Sequence, residues 1–234
     1  MATSRRPKSD NNGQNCTNHV QIIDRCSSLA AYSYTTSFNR YPSNPEEMKA
    51  SCDRIQDGLK CLKTNGKCLS SFTRRTLTAF ASARSKHSKQ LCANLADPKT
   101  VNFLKLVDCI DKTNKKALMA TVEKELIGSI QSLASNKTMK WDEKFHGACC
   151  SAFVFRNKAL KYIEPECGKF KDAQESMINS MVGDLLEAAC PEPSKMDEIC
   201  PKLPKLVLAK EWKPASLTGA ALDLIIVLSE TPKQ

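Results

Sequence analysis

Apolar positions recur along this chain at spacings of three and four residues, the pattern of helices that bury one face. The clearest case lies between Ser43 and Cys92. Met48, Cys52, Ile55, Leu59 and Leu62 make one unbroken stripe. Ser43 or Asn44 is placed to cap it, Pro45 suits the first helical position, and Glu46 and Glu47 favour the positive end of the helix dipole. Lys63-Thr64-Asn65-Gly66 interrupts the stripe, and Leu69, Phe72, Phe80, Ala83 and Leu91 resume it as far as Cys92. The stretch predicts a helical hairpin. Cys61 and Cys68 flank its turn, which favours a disulfide between them.

The same spacing predicts helices elsewhere. Val20, Ile23, Cys26, Leu29 and Ala30 share one side of a helix beginning at His19. Tyr32, Tyr34, Phe38 and Tyr41 follow in a connection expected to lie over the core rather than to clasp a ring or sugar. Asp97-Pro98 separates the hairpin from a short helix with Phe103, Leu106, Val107, Cys109 and Ile110. A longer one carries Leu118, Val122, Leu126, Ile130 and Leu133. After the polar break at Ser135–Thr138, a helix runs from Trp141 to Ile163 with Phe145, Ala148, Ala152, Phe155 and Leu160. Pro165-Glu166-Cys167 is predicted to start a further one, with Phe170, Ala173, Met177, Ile178, Met181 and Leu185 leading to Cys190. Ser194–Asp197 offers another capped start, closed by Cys200-Pro201. The most apolar run, Ala215–Leu228, is too short and too interrupted by Asp223 for a membrane span. It reads as a docked core helix, against the competing idea of an exposed face for a partner or lipid.

The expected fold is all-α, a disulfide-stapled bundle of about eight to nine helices built from antiparallel hairpins. Residues 1–15 are polar, carry Arg5, Arg6 and Lys8, and lack an apolar set to fold around, so they read as a flexible basic arm. An N-terminal lobe over 16–135 and a C-terminal lobe over 136–234 are expected to pack on each other, because the break between them holds neither Pro nor Gly.

The cysteines set the compartment. They stand at Cys16, Cys26, Cys52, Cys61, Cys68, Cys92, Cys109, Cys149, Cys150, Cys167, Cys190 and Cys200, an even count with no paired zinc knuckle. Disulfides in a chain of 234 residues, long enough to build its own core, point to an oxidising and hence extracellular location. The sequons at Asn15 and Asn136 fit a secreted glycoprotein. The opening residues hold no apolar leader, as expected of a mature chain. Cys149 and Cys150 point about 100° apart on a helix, so they are expected to take different partners rather than to join His146 in a metal site.

A net charge of +10 implies attraction to acidic partners. No Asp or Glu occurs from Gly58 to Ala96, a stretch rich in Lys and Arg. On a helix Arg75, Lys86 and Lys89 share a face with Ser71, Thr78 and Ser82. With Lys67 and Arg74 they make a candidate site for sulfate or phosphate oxygens of an acidic glycan or other polyanion; nucleic acid is disfavoured. Serine-hydrolase elbows, phosphate-binding glycine loops, dinucleotide fingerprints and the His-Glu-x-x-His motif are absent. Only His19, His87 and His146 could serve as imidazole bases, and His87 lies on the packing line through Phe80, Ala83 and Leu91. No catalytic residue, metal or cofactor is assigned, and a non-enzymatic role is expected.

The spacing of Cys52, Cys61-Leu62 and Cys68, the helix running on to Cys92, and the later Pro165-Glu166-Cys167 with its helix to Cys190 resemble the arthropod secreted helical proteins typified by the insect 27 kDa haemolymph glycoproteins. The resemblance covers about residues 50–190. It implies an all-helical, glycosylated extracellular protein and supplies no catalytic residues. The leading functional expectation is a secreted binding or carrier protein for a hydrophobic small molecule, with Leu59, Phe80, Phe155, Met177 and Met181 as candidate wall residues. The alternatives are a structural or matrix component of an extracellular secretion with a polyanion-binding patch, and a secreted enzyme of unrecognised type.

Overall fold

The computed structural model describes residues 16, 18–35, 40–183, 190–204, 206 and 216–230. Among them the regular structure is helical, without strands. The chain runs through α1 (His19–Ala30), α2 (Pro45–Asn65), α3 (Ser71–Cys92), α4 (Pro98–Lys112), α5 (Lys115–Ser135), α6 (Trp141–Cys167), α7 (Lys171–Ile178), α8 (Pro193–Ile199) and α9 (Leu217–Glu230). A π turn over Asn179–Gly183 extends α7. The basic arm, the Asn15 sequon, Phe38 and Leu185 lie outside the described residues.

Helix starts follow their caps. The Glu47 amide donates to Asn44 Oδ1 at 2.9 Å while the Ser43 amide donates to Glu47 Oε2 at 2.9 Å, so two otherwise unpaired backbone donors at the start of α2 are satisfied. Asp97 accepts from the Lys99 amide at the start of α4, with Pro98 behind it. The reversal from α4 into α5 turns on Asn114, whose φ of 56° is left-handed, a conformation asparagine tolerates better than most residues.

Two boundaries differ from expectation. The polar break at Lys63 does not stop α2, which continues to Asn65 before a short 3-10 turn over Gly66–Cys68. Nor does Pro165 open a helix. It sits in the last turn of α6, which ends at Cys167, and a 3-10 turn and then α7 follow. A proline there forfeits one hydrogen bond near a helix end, where few remain to lose.

All twelve cysteines are paired. The bridges are Cys16–Cys68, Cys26–Cys61, Cys52–Cys92, Cys109–Cys167, Cys149–Cys190 and Cys150–Cys200. The expected Cys61–Cys68 pair is therefore corrected. Because α2 runs on past Cys61, that side chain stays on the helical face that meets α1. Gly58, one turn earlier, is where α1 touches: a Cβ there would lie 2.8 Å from the Cys26 carbonyl oxygen. Cys26 is thus the neighbour of Cys61, and Cys68 is left for Cys16. The adjacent Cys149 and Cys150 do take separate partners. No bridge joins residues 16–92 to residues 109–200.

The largest buried apolar cluster draws on both sides of the 135/136 break, from Met48 and Ile55 through Leu106, Ile127 and Leu133 to Phe155, Met177 and Leu224. A second cluster joins α1, α2, α3 and α9 through Ile23, Ala30, Leu62, Leu77 and Leu222. The terminal apolar run is the docked helix α9. Ala220, Leu222 and Leu224 are buried, and Trp141 Nε1 donates to the Leu228 carbonyl at 3.1 Å.

Candidate functional site

A groove of about 460 Å³ opens between α5 and α6. Residue pairs Leu133/Gly147 and Glu125/Lys158 face each other across this hairpin, so the helices run antiparallel. They meet closely at Gly147, where a Cβ would lie 2.6 Å from Leu133 Cδ2. Val122, Leu126, Val154 and Phe155 line the floor, with Met139 from the intervening turn. Cys200, Leu203, Pro204 and Leu206 form the opposite wall, which the Cys150–Cys200 bridge ties to α6. Val154 is 46% exposed, unusual for a large apolar residue facing a concave surface.

Polar groups are few in the groove. Lys158 Nζ pairs with Glu125 Oε2 at 2.7 Å, and both side chains keep substantial contact with solvent. The Ser129 hydroxyl donates to the Glu125 carbonyl and that of Ser151 to the Gly147 carbonyl, each at 2.8 Å, so both oxygens face a ligand as acceptors only. An apolar floor with one ion pair and two acceptors suits a molecule with a hydrocarbon body and a single polar end.

Of the candidate wall residues, Phe155 alone lines this groove. Met177 and Met181 belong to the main core, where Met181 Sδ accepts from the Tyr41 hydroxyl at 3.1 Å, while Phe80 packs in the α1–α3 cluster and Leu59 touches both. The five do not surround one cavity. Interior packing wins because large side chains from facing helices interdigitate. Tyr32 and Tyr41 are likewise buried, with Tyr34 stacked on Tyr41 at 4.3 Å between ring centroids, so the aromatic connection lies over the core.

The candidate polyanion residues Lys67, Arg74, Arg75, Lys86 and Lys89 are all exposed, with Arg75, Lys86 and Lys89 on the outer face of α3. Arg84 turns inward instead. It lies 5.3 Å from the centre of the Phe80 ring, and its Nη1 reaches Ser180 Oγ at 3.4 Å. Asn136 terminates α5, and its Oδ1 accepts from the Thr138 amide and hydroxyl at 2.9 and 2.8 Å.

Sequence reasoning missed one polar cluster. Glu123 is buried on α5 and accepts from Ser33 Oγ at 2.6 Å, the Tyr34 amide at 2.8 Å and Thr35 Oγ1 at 3.2 Å. Burial pushes its carboxyl above the ordinary range, against these hydrogen bonds and the Arg84 charge. The signal was a carboxylate at 123 within the apolar stripe through Met119, Leu126 and Ile130. The adjacent void is about 20 Å³, room for roughly one water and not for a substrate. His87 is largely buried, and desolvation together with Arg84 pushes its imidazole down to about 4. Among the described residues no His, Cys, Asp and Glu side chains gather as metal ligands, and no helix is long and apolar enough to cross a membrane.

No protein family, curated protein or solved structure matches the chain.

Proposed function

We propose that this is a non-enzymatic extracellular binding protein that holds a small amphiphilic molecule in the α5/α6 groove. The observation that carries the reading is the groove itself, half-open, apolar along its floor and charged at one end by Lys158 and Glu125. Its volume falls within the range of small-molecule sites. Six disulfides, of which Cys150–Cys200 fastens one wall, fit a protein working in an oxidising medium. The likeness in cysteine spacing to the insect haemolymph glycoproteins supports the same compartment. A glycan on Asn136 would project from the exposed turn between α5 and α6.

The test is displacement of a fluorescent naphthylamine reporter by long-chain carboxylates and amines. Val154→Asp places a charge on the groove floor at a solvent-exposed position. It should weaken reporter binding about tenfold or more while the thermal unfolding midpoint stays within about 2 °C. Reporter affinity unchanged in both Val154→Asp and the groove-filling Ser151→Phe would remove the groove as the site.

A further inference from the structure

The outer face of α3 and the turn before it carry a charge pattern that the groove does not use. Lys63, Lys67, Arg74, Arg75, Lys86 and Lys89 are exposed, and none of them forms an ion pair among the described residues. Such helices ordinarily mix both signs on their wet side. Here the 22-residue helix contains no carboxylate at all, and Asp57 and Asp97 are the nearest acids in the chain. Inward rotation of Arg84 removes one cation from the surface and leaves the others in two groups. Arg74 and Arg75 lie toward the turn with Lys67 and Lys63, and Lys86 and Lys89 lie toward the far end.

The separation of these groups sets the size of the partner. Arg75 and Lys86 are ~16 Å apart along the helix axis at ~1.5 Å per residue. One phosphate or one lipid headgroup cannot engage both. The exposed residues between them, Thr78, Ala79 and Ser82, are uncharged. The Ser71 and Ser82 hydroxyls have no hydrogen-bond partner among the described residues and are free to donate. The Cys16–Cys68 bridge fastens Cys16 beside Lys67, and Arg5, Arg6 and Lys8 precede Cys16 in the sequence.

We propose that this face of α3, with the turn at Lys67, binds a linear sulfated polysaccharide. Anionic groups repeating along a flexible hydrated chain match two cation clusters joined by hydroxyl-bearing residues, through charge-assisted hydrogen bonds from Arg and Lys. A membrane surface fits less well, because Phe72 is the one large apolar side chain exposed on α3. Single-stranded nucleic acid fits less well too, because Phe80, the aromatic ring between the cation clusters, is partly buried against the α1–α3 packing and covered by Arg84 rather than presented to stack a base.

The experiment uses the intact, oxidised chain and measures affinity for a heparin oligosaccharide across a salt titration. One variant carries Arg74→Gln, Arg75→Gln, Lys86→Gln and Lys89→Gln. A charge-matched variant carries Lys124→Gln, Lys137→Gln, Lys161→Gln and Lys195→Gln, at exposed positions away from α3. Circular dichroism confirms that both keep the helical fold. The α3 variant should bind about tenfold or more weakly with a flatter salt dependence, and the matched variant should lose less than about threefold. Equal losses in the two variants would overturn the proposal, since net charge alone would then account for the attraction. Tighter binding of the unmodified protein to duplex DNA or phosphatidylserine vesicles than to heparin would overturn it as well.

Discussion

Two helix pairs in this protein approach each other in different ways. Between α1 and α2 the backbones touch. A Cβ on Gly58 would lie 2.5 Å from the Ala30 nitrogen, and the Cys26–Cys61 bridge sits one turn away. Between α5 and α6 the close approach at Gly147 is to the Leu133 side chain, α5 bears no cysteine, and an exposed ion pair spans the far end. Helices in backbone contact leave no room between them. Helices held apart by side chains diverge from their closest point and leave a groove. The groove therefore lies in the pair without a bridge across it, and the closely packed pair supports the charged face of α3, which is tied to α2 by Cys52–Cys92.

The largest effect expected from this contrast is at Gly58. An added methyl meets backbone atoms that have nowhere to go, so Gly58→Ala should cost about 3 kcal/mol or more in urea unfolding of the oxidised protein. A cost below about 1 kcal/mol would show that the α1/α2 contact is as yielding as the other.

Acid should act on the side of the closed pair. The His87 imidazole on α3 is held neutral by burial and by Arg84, with its pKa pushed down to about 4. The unfolded chain takes up a proton near about 6.5, and the folded chain does so only near about 4. Between those values acid favours unfolding, so this contribution is full above the unfolded value and shrinks by up to about 3 kcal/mol as pH falls through the window. His87→Leu should remove that slope. Glu123 works in the opposite direction, since its raised carboxyl favours the folded state at low pH and loses that advantage as pH rises through its folded pKa. The comparison is accordingly made between wild type and variant at each pH.

The smallest effect is at Gly147. Leu133 Cδ2, the end of a flexible side chain, can turn away, so Gly147→Ala should cost about 1 kcal/mol and alter reporter affinity in the groove. A loss as large as that at Gly58 would erase the distinction between the pairs.

Much of the fold was legible in advance. The stripe from Met48 to Leu62, Pro45 at the first helical position, and the neighbouring Cys149 and Cys150 all read correctly, because caps and periodicity act within a few residues. The pairing of Cys61 did not, since it depends on which face of α2 meets α1 at Gly58. Glu123 was legible as an exception in its stripe. Its partners Ser33, Tyr34 and Thr35 were not, because they lie some ninety positions earlier in the chain.

The sequence by itself determined an all-helical chain, most of its helix positions, the oxidised state implied by its cysteines and the acid-free basic stretch. Those properties follow from local spacing, composition and charge. Tertiary structure alone decided which cysteines meet, that Arg84 leaves the basic surface, and that the opening lies between α5 and α6 rather than among the five expected wall residues. Each of these is settled by how closely two helix axes approach. That distance depends on side chains brought together from different helices, which no local pattern records.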